Sequence, residues 1–377
     1  MVAPQVPIGV GIAGWGGIAR IHTLALRALP VLFADLPFDL SLAAVQSRNP
    51  ERKQEAIRQA GFAAAVERDD ELLRLADAVD ICTPNALHAR LAVAAWRAGK
   101  PVYCEKPLAE SLEAATAMLD AWRSLPAPPP SQVALVLRFW PAMARAKDWI
   151  AAGHVGRILS FRARMVHGGY LDTARLMSWR LDKALAGGGA LADLGIHLID
   201  AVQFLLGPIT DASARMRTFV TERPVNPGGR AAPVTVDDWA EVTCTLPSGA
   251  VGTIEATRAG DGQEETVLEL FGTEGSLRIS GDAPYWPRWY DRRRGELVVR
   301  GGEPAPGPYT QAVLSVCPPA RLSMGPMVDA HLGSLHWWLR RIAQPGWEQQ
   351  MPPVAADLAD GAAAQAILHR AYEAAQQ

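Results

Sequence analysis

The sequence predicts an α/β protein of two domains: a parallel sheet with helices on both faces, then a domain of helices and an antiparallel sheet with one solvent- or partner-facing side. Three observations predict it. Strand-like and helix-like stretches alternate through the first third of the chain. A glycine-rich turn follows the first strand directly. From Arg157 onward the strands alternate apolar and polar residues and are joined in pairs by short glycine-bearing turns. Alternation with helices of a dozen residues gives βαβ units, whereas period-two strands joined by tight turns give hairpins.

In order, PIGVGIAG reads as a buried strand and GIARIHTLALRAL as a helix. DLSLAAVQS is a strand and PERKQEAIRQAG a helix. A short segment around FAAAV precedes the helix DDELLRLA. AVDICTP is a strand, NALHARLAVAAWRAG a helix, PVYCEKP a strand and SLEAATAMLDAWRSL a helix. QVALVLRF closes the series as a strand. The runs ICTP and VALVL are nearly continuously apolar, as strands buried on both faces are. The proline-rich stretch 126–132 reads as a surface connection within this domain, because a strand of the same type follows it.

The second half opens with the strand RILSFRARMVH. The helix GGALADLGIHLIDAVQFLLG follows. Two hairpins come next, WAEVTCTL-PSG-AVGTIEAT and TVLELFG-TEG-SLRIS. MVDAHLGSLHWWLRRI and VAADLADGAAAQAILHRAYEAA are the closing helices. The expected domains are residues 1–141 and 142–377.

With 377 residues, 49% hydrophobic and 20% charged, the chain has the composition of a globular protein with room for two cores. A net charge of −2 gives no reason to expect a nucleic-acid or anionic-membrane partner. The one basic run, Arg292-Arg293-Arg294, lies among turn residues and reads as a solvated or subunit-contact surface. No basic segment precedes the first apolar stretch, and no apolar run reaches the ~20 residues of a membrane helix. Cys82, Cys104, Cys244 and Cys317 lack metal-ligand spacing, so no metal site is expected. Reduced thiols and a cytoplasmic location are the expectation.

The first strand runs into Gly14-Trp15-Gly16-Gly17-Ile18-Ala19, the G-x-G-x-x-A form of the dinucleotide fingerprint. Gly14 allows the tight turn, Gly16 admits a pyrophosphate, and Ala19 allows close helix–strand packing. The helix N-terminus supplies unpaired N–H groups for the phosphates. An acid at the tip of the second strand would bind the ribose hydroxyls of NAD. The tip here reads Gln46-Ser47-Arg48-Asn49, with Arg52 one turn further on. With no carboxylate to repel a 2′-phosphate, and with Ser47, Arg48 and Arg52 able to meet one, NADP is preferred over NAD.

Three further strings follow in order: CTPNALHARLA, EKP and GGGALADLGIHLIDAVQFLLG. Together with the glycine fingerprint they resemble the Gfo/Idh/MocA family, the glucose–fructose oxidoreductase and inositol dehydrogenase relatives. The resemblance spans nearly the whole chain and is weakest from Tyr285 to Met327. It implies an N-terminal Rossmann domain followed by a C-terminal α/β domain with a large, open, mainly antiparallel sheet. It also implies a homodimer or homotetramer formed through the sheet, since so large an uncovered face would expose more apolar area than monomers carry. The last helix, 355–375, is expected to pack back on the first domain.

The resemblance also implies a chemistry: an NAD(P)-dependent oxidoreductase acting on a hydroxyl of a sugar, polyol or similar small molecule. Lys106, at the end of a parallel strand in Glu105-Lys106-Pro107, is implied to contact substrate and support proton transfer. Asp193 and His197, four apart, share a helix face. A ring with an ordinary pKa near 6.5 suits His197 as proton acceptor. Lys106 would polarise the reacting hydroxyl, and Asp193 would orient a partner or bind a substrate hydroxyl. Thr83, Asn85, His88 and Glu105 are implied cofactor contacts. Trp179 is implied to stack on a sugar ring, with Arg180 structural. Arg138 matches a family arginine, although this chain reads Val136-Leu137 where the family frequently has Asn-Tyr. Glycines 187–189 are expected to let backbone approach a ligand. Tyr285-Trp286-Pro287-Arg288-Trp289-Tyr290 reads as interface before pocket edge. Two alternatives share the fold: a non-catalytic dinucleotide-binding sugar sensor, which would be expected to lose Lys106 or His197, and an NAD-dependent glycoside hydrolase.

Overall fold

The computed structural model describes residues 5–298 and 300–375. They fall into two compact units, each assembled from separate stretches of chain. Unit 1 comprises Met1–Ala109, Glu113–Phe139 and Ala312–Ala359; unit 2 comprises Glu110–Leu112, Trp140–Gln311 and Asp360–Gln377.

Unit 1 begins as the sequence alternation dictates. Its elements are β1 (Val6–Ala13), α1 (Gly17–Leu32), β2 (Phe38–Gln46), α2 (Pro50–Glu55), β3 (Ala64–Val66), α3 (Asp69–Leu75), β4 (Ala78–Ile81), α4 (His88–Arg97), β5 (Val102–Cys104), α5 (Leu112–Arg123) and β6 (Ser131–Val133). The six strands are all parallel, in the order β3-β2-β1-β4-β5-β6. Strand order reverses at β1, which places a crevice at the carboxyl ends of β1 and β4. The final strand is shorter than its apolar run suggests. It stops at Val133, and Val136–Phe139 forms a 3-10 turn whose residues are all buried. Burial in a packed turn satisfies these apolar side chains as well as a strand would, so tertiary context overrides their β-propensity.

Unit 2 contains α6 (Pro141–Ala151), β7 (Ile158–Val166), α7 (Lys183–Ala186), a π-helical turn (Leu191–Gly195) and α8 (Ile196–Leu206). It continues with β8 (Asp211–Arg217), β9 (Glu222–Pro224), β10 (Ala231–Pro233), β11 (Trp239–Thr245), β12 (Val251–Thr257), β13 (Glu265–Gly272), β14 (Gly275–Ser280), β15 (Arg288–Asp291) and β16 (Glu296–Val298). Eight strands form one sheet, β16-β15-β14-β13-β7-β12-β11-β8, parallel at β7–β12 and antiparallel elsewhere. Both predicted hairpins are present, as β11–β12 and β13–β14. Phe161, Ala163, Ala240, Val242, Ile254, Ala256, Leu268 and Leu270 form the buried face, against which α8 and the π turn pack.

The opposite face differs from expectation. Much of it is laddered with charge, including the pairs Arg164–Glu265 and Arg278–Glu269. An apolar stripe is confined to one row. The register Val251–Ser160–Phe271–Ser276–Tyr290–Leu297 runs across six strands and leaves its four large residues exposed. Trp289 points the other way, into the core against Trp149 at 5.4 Å and His154 at 5.1 Å. Arg292, Arg293 and Arg294 are exposed, and the last two pair with Glu274 and Asp291.

The chain then forms α9 (Pro308–Leu314), α10 (Pro326–Ala343) and α11 (Leu358–Ala374). Their allocation corrects the expected boundaries. α10 belongs to unit 1, not to a second domain running from 142 to 377. It packs along α1 and buries Trp337 and Trp338, while His336 meets Phe33 at 4.4 Å. From Asp360 the last helix clusters with unit 2. Its small alanines allow close approach there, and the Tyr372 hydroxyl donates to Asp237 at 2.7 Å.

Residues Lys183–Leu206 form a helical stretch long and apolar enough to span a bilayer by composition, but 78% of its most apolar window is buried within the protein, as in a core helix. All four cysteines are buried and free of disulfides.

Candidate active site

The phosphate turn follows from three small residues. Gly14 has φ of 94°, and a Cβ there would lie 2.8 Å from the Cys82 carbonyl oxygen, so only glycine lets β1 turn against the end of β4. A Cβ added at Gly16 or Gly17 would meet nothing within 4 Å, which leaves open space over the start of α1. Ala19 is fully buried, as close packing requires. No side chain caps α1 and no acid sits in its first turn, so its N–H groups remain available to an anion. Ile18 is half-buried at this turn. The Trp15 indole faces inward, edge-on to Phe62 at 5.5 Å, so only its backbone can serve a cofactor.

At the tip of β2, Ser47 is half-buried and Arg48 and Arg52 are exposed. Asn49 caps α2 by accepting from the Arg52 N–H at 3.0 Å. The nearby acid Asp69 is already engaged by Gln46 at 2.6 Å and by Arg90. At the end of β4, the Thr83 hydroxyl oxygen is buried and has no hydrogen-bond partner among the described residues. An uncapped helix start, open space over two glycines and this unsatisfied hydroxyl fit a dinucleotide's phosphates and ribose.

Two predicted cofactor contacts have other duties. His88 is fully buried between the carbonyls of Thr83 at 3.0 Å and Pro107 at 3.1 Å. Burial pushes its imidazole pKa down, so the neutral ring donates to one of these carbonyls and braces two loops instead of touching a ligand. Glu105 is also buried. One carboxylate oxygen lies 3.2 Å from His22 Nε2, and the other accepts from the Lys106 backbone N–H at 3.2 Å. Asn85 is buried at the start of a 3-10 turn. Lys106 is half-buried just beyond β5, ahead of a cis bond to Pro107.

His22 collects a cluster of ligand-type atoms. The sets His22–Asp80–Cys82 and His22–Glu105–His331 each fall within 4.8 Å. Hydrogen-bond distances already join them: 2.8 Å from His22 Nδ1 to Asp80 and 3.0 Å from His22 Nε2 to His331 Nδ1. A proton-sharing network accounts for this arrangement without a metal.

In unit 2, every residue from 188 to 202 is buried except Asp193 and His197. These two are the accessible positions of a run that is otherwise buried, Asp200 included. Asp193 accepts from Arg258 Nη2 at 3.0 Å, with the arginine side chain 2% exposed and the carboxylate 28%. Burial alone would lower the Arg258 pKa, but the neighbouring Asp193 charge and hydrogen bond raise it. Trp179 is half-buried, with the Arg180 guanidinium 4.4 Å over its ring.

The glycines 187–189 do not make room for a ligand. Added Cβ atoms would strike the Glu110 carbonyl at 2.2 Å, the Tyr372 hydroxyl at 2.0 Å and the Asp237 carbonyl at 1.9 Å. Protein fills the space, and the glycines exist for chain packing. Val136 and Leu137, where the family frequently has Asn-Tyr, are buried and apolar.

Comparison with known proteins matches this architecture. Residues 8–127 match the oxidoreductase family model with an NAD-binding Rossmann fold, and residues 143–278 match the GFO/IDH/MocA C-terminal domain. The levoglucosan dehydrogenase of Pseudarthrobacter phenanthrenivorans is 38% identical over 285 residues, covering 72% of this chain and 73% of that protein. The chain belongs to the Gfo/Idh/MocA oxidoreductase family. A levoglucosan dehydrogenase structure in complex with NADH superposes with a TM-score of 0.84 at 31% identity, covering 98% of this chain and 97% of that one. The glucose-6-phosphate 3-dehydrogenase of Bacillus subtilis is 31% identical over 62% of this chain and 63% of its own. This Gfo/Idh/MocA member is a nicotinamide-dependent oxidoreductase.

Sequence reading of this oxidoreductase missed three groups. Arg258 follows the last residue of a hairpin strand and gives no local signal of its pairing with Asp193, 65 positions away. Asp237 receives the N–H groups of Gly189 and Leu191, each at 2.8 Å, and so fixes the entry to the π turn. His22 sits at a core position of the α1 periodicity and reads there as one more buried residue.

Proposed function

We propose that this oxidoreductase transfers hydride between a nicotinamide dinucleotide and a hydroxyl or carbonyl of a sugar, polyol or similar small molecule, with Lys106, Asp193 and His197 handling the reacting hydroxyl. The observation that carries this reading is that Asp193 and His197 are the two half-buried positions on an otherwise buried run, where a polyhydroxylated substrate could reach them. The named relatives, among them the levoglucosan and glucose-6-phosphate dehydrogenases, support a sugar as the substrate class.

The bound nicotinamide supplies the hydride acceptor or donor at its C4. This chain supplies the rest. Asp193, held ionised by Arg258, accepts a hydrogen bond from a substrate hydroxyl and is a poor base because of that pairing. His197 takes the hydroxyl proton as hydride leaves. The Lys106 ammonium polarises the same oxygen and stabilises the charge that develops on it. Trp179 offers a flat apolar surface for a sugar ring. At the tip of β2, the exposed Arg48 and Arg52 and the missing carboxylate support NADP over NAD. We also infer that subunits pair through the outer sheet face, about the row of Val251, Phe271, Tyr290 and Leu297.

The test is a panel of sugars, anhydrosugars and polyols assayed by nicotinamide absorbance, with NADP and NAD in parallel. Net cofactor reduction is expected, faster with NADP. Lys106→Ala should lower kcat by roughly a thousandfold, the middle of the range for acid–base groups. Full turnover by that variant, or product released without net cofactor reduction, overturns the assignment.

A further inference from the structure

We propose that His22 is a positioning residue for Lys106, acting through Glu105 from inside unit 1; this rests on the reading of Lys106 given above. His22 lies on the inner side of α1, two turns into the helix that starts at the phosphate turn, and is fully buried. Its Nδ1 is 2.8 Å from the Asp80 carboxylate of β4. Its Nε2 is 3.2 Å from Glu105 Oε1 and 3.0 Å from His331 Nδ1 of α10. Glu105 Oε2 accepts the backbone N–H of Lys106 at 3.2 Å. A continuous line of polar contacts therefore runs Asp80–His22–Glu105–Lys106.

The charge on this line follows from its burial. Two carboxylates enclosed in a dry core need a cation between them, because an uncompensated buried charge costs several kcal/mol. The other groups facing the ring are the Cys82 thiol, the Tyr103 phenol edge-on at 5.5 Å, and His331. Burial pushes the His22 pKa down, but the Asp80 charge and the hydrogen bonds to Asp80 and Cys82 raise it well above the ordinary value. Burial likewise pushes the Glu105 carboxyl up, yet the His22 hydrogen bond and charge, helped by His331 and Lys106, hold it down to about 2. His22 is thus an imidazolium with Nδ1 on Asp80, while Nε2 is hydrogen-bonded to His331 and faces Glu105 Oε1 as an ion-pair contact.

Stability does not explain the arrangement. Apolar residues of similar volume in place of a buried ion cluster are often neutral or stabilising. What the cluster adds is direction. It ties the backbone ahead of the lysine to α1 and β4, the elements that frame the phosphate turn, and so fixes where the ammonium emerges. A misplacement of about 1 Å at a reacting group costs on the order of a hundredfold in rate.

The experiment uses the full chain, with whichever sugar or polyol gives turnover. His22→Gln removes the charge and keeps an amide donor. It should lower kcat by roughly 10- to 100-fold while leaving KM for cofactor and substrate within about twofold, since binding groups stay in place. Glu105→Gln keeps an acceptor for the Lys106 N–H. Combined with His22→Gln it should add little, because both act on one line. A readout independent of turnover is the nitrogen NMR spectrum of the cofactor-free protein, in which His22 should carry protons on both ring nitrogens at pH 8. A neutral His22 ring there overturns the inference even if the variants fail to fold. So does His22→Gln with unchanged kcat beside an inactive Lys106→Ala. If Lys106→Ala is itself fully active, the underlying reading has failed and this inference falls with it, a pattern distinct from the other two.

Discussion

The ion pair between Asp193 and Arg258 is lopsided, and the asymmetry predicts different outcomes for its two halves. Arg258 is almost fully buried, whereas Asp193 keeps more than a quarter of its side chain in contact with solvent. Losing the aspartate strands a buried guanidinium, while losing the arginine leaves a carboxylate that water reaches. Asp193→Asn is therefore expected to lower unfolding free energy by about 3 kcal/mol, and Arg258→Met by less, in urea titrations. Arg258→Met should instead raise KM for substrate, because an unpaired Asp193 takes up protons more readily. Equal losses of stability for the two variants would show that the guanidinium finds other partners. Legibility at this scale depends on sequence distance. Asp193 and His197 stand four apart and can be paired by eye, and Lys106 sits in a three-residue string. Arg258, His22 and His331 reach their partners only through the fold, and nothing beside them in the chain announces it.

Among the elements, the segment feeding α8 shows how a local motif is read correctly and interpreted wrongly. Three consecutive glycines mark close approach, but the approaching partners are Glu110, Asp237 and Tyr372 of the same unit. Asp237 accepts from two backbone N–H groups and the Tyr372 hydroxyl, serving as a cap supplied from a distant loop. Its removal leaves several buried donors unsatisfied. Asp237→Ala should cost about 3 kcal/mol in urea unfolding and Tyr372→Phe about 1 kcal/mol, since the latter removes a single hydrogen bond. If Tyr372→Phe cost as much as Asp237→Ala, the cap would reside in the tyrosine instead. The βα alternation and both hairpins were legible because periodicity depends only on which face is buried. The π turn and the shortened β6 were not, because each is set by what packs against an apolar stretch and not by its composition.

At the scale of the whole molecule, the outer sheet face bears on assembly. Its apolar residues are confined to one row, so self-association rests on Val251, Phe271, Tyr290 and Leu297 framed by charged ladders, and not on a broad apolar surface. Sedimentation at micromolar concentration should give a multiple of the 40.5 kDa chain mass, and Phe271→Arg should shift the population toward monomer. A parent protein that sediments as a single chain would end that proposal. A second, differently built half was legible from the change in strand pattern at Arg157, but the return of 312–359 to unit 1 was not, since helix periodicity does not say which neighbour a helix will choose. That return has a consequence for synthesis. On the ribosome the nucleotide-binding sheet emerges early, yet α1 waits for His331 and His336 of α10, some three hundred residues further along the chain. A truncation after residue 141 would leave that flank of the sheet uncovered and sticky, and the nascent first domain must be kept from aggregating for most of the time its translation takes.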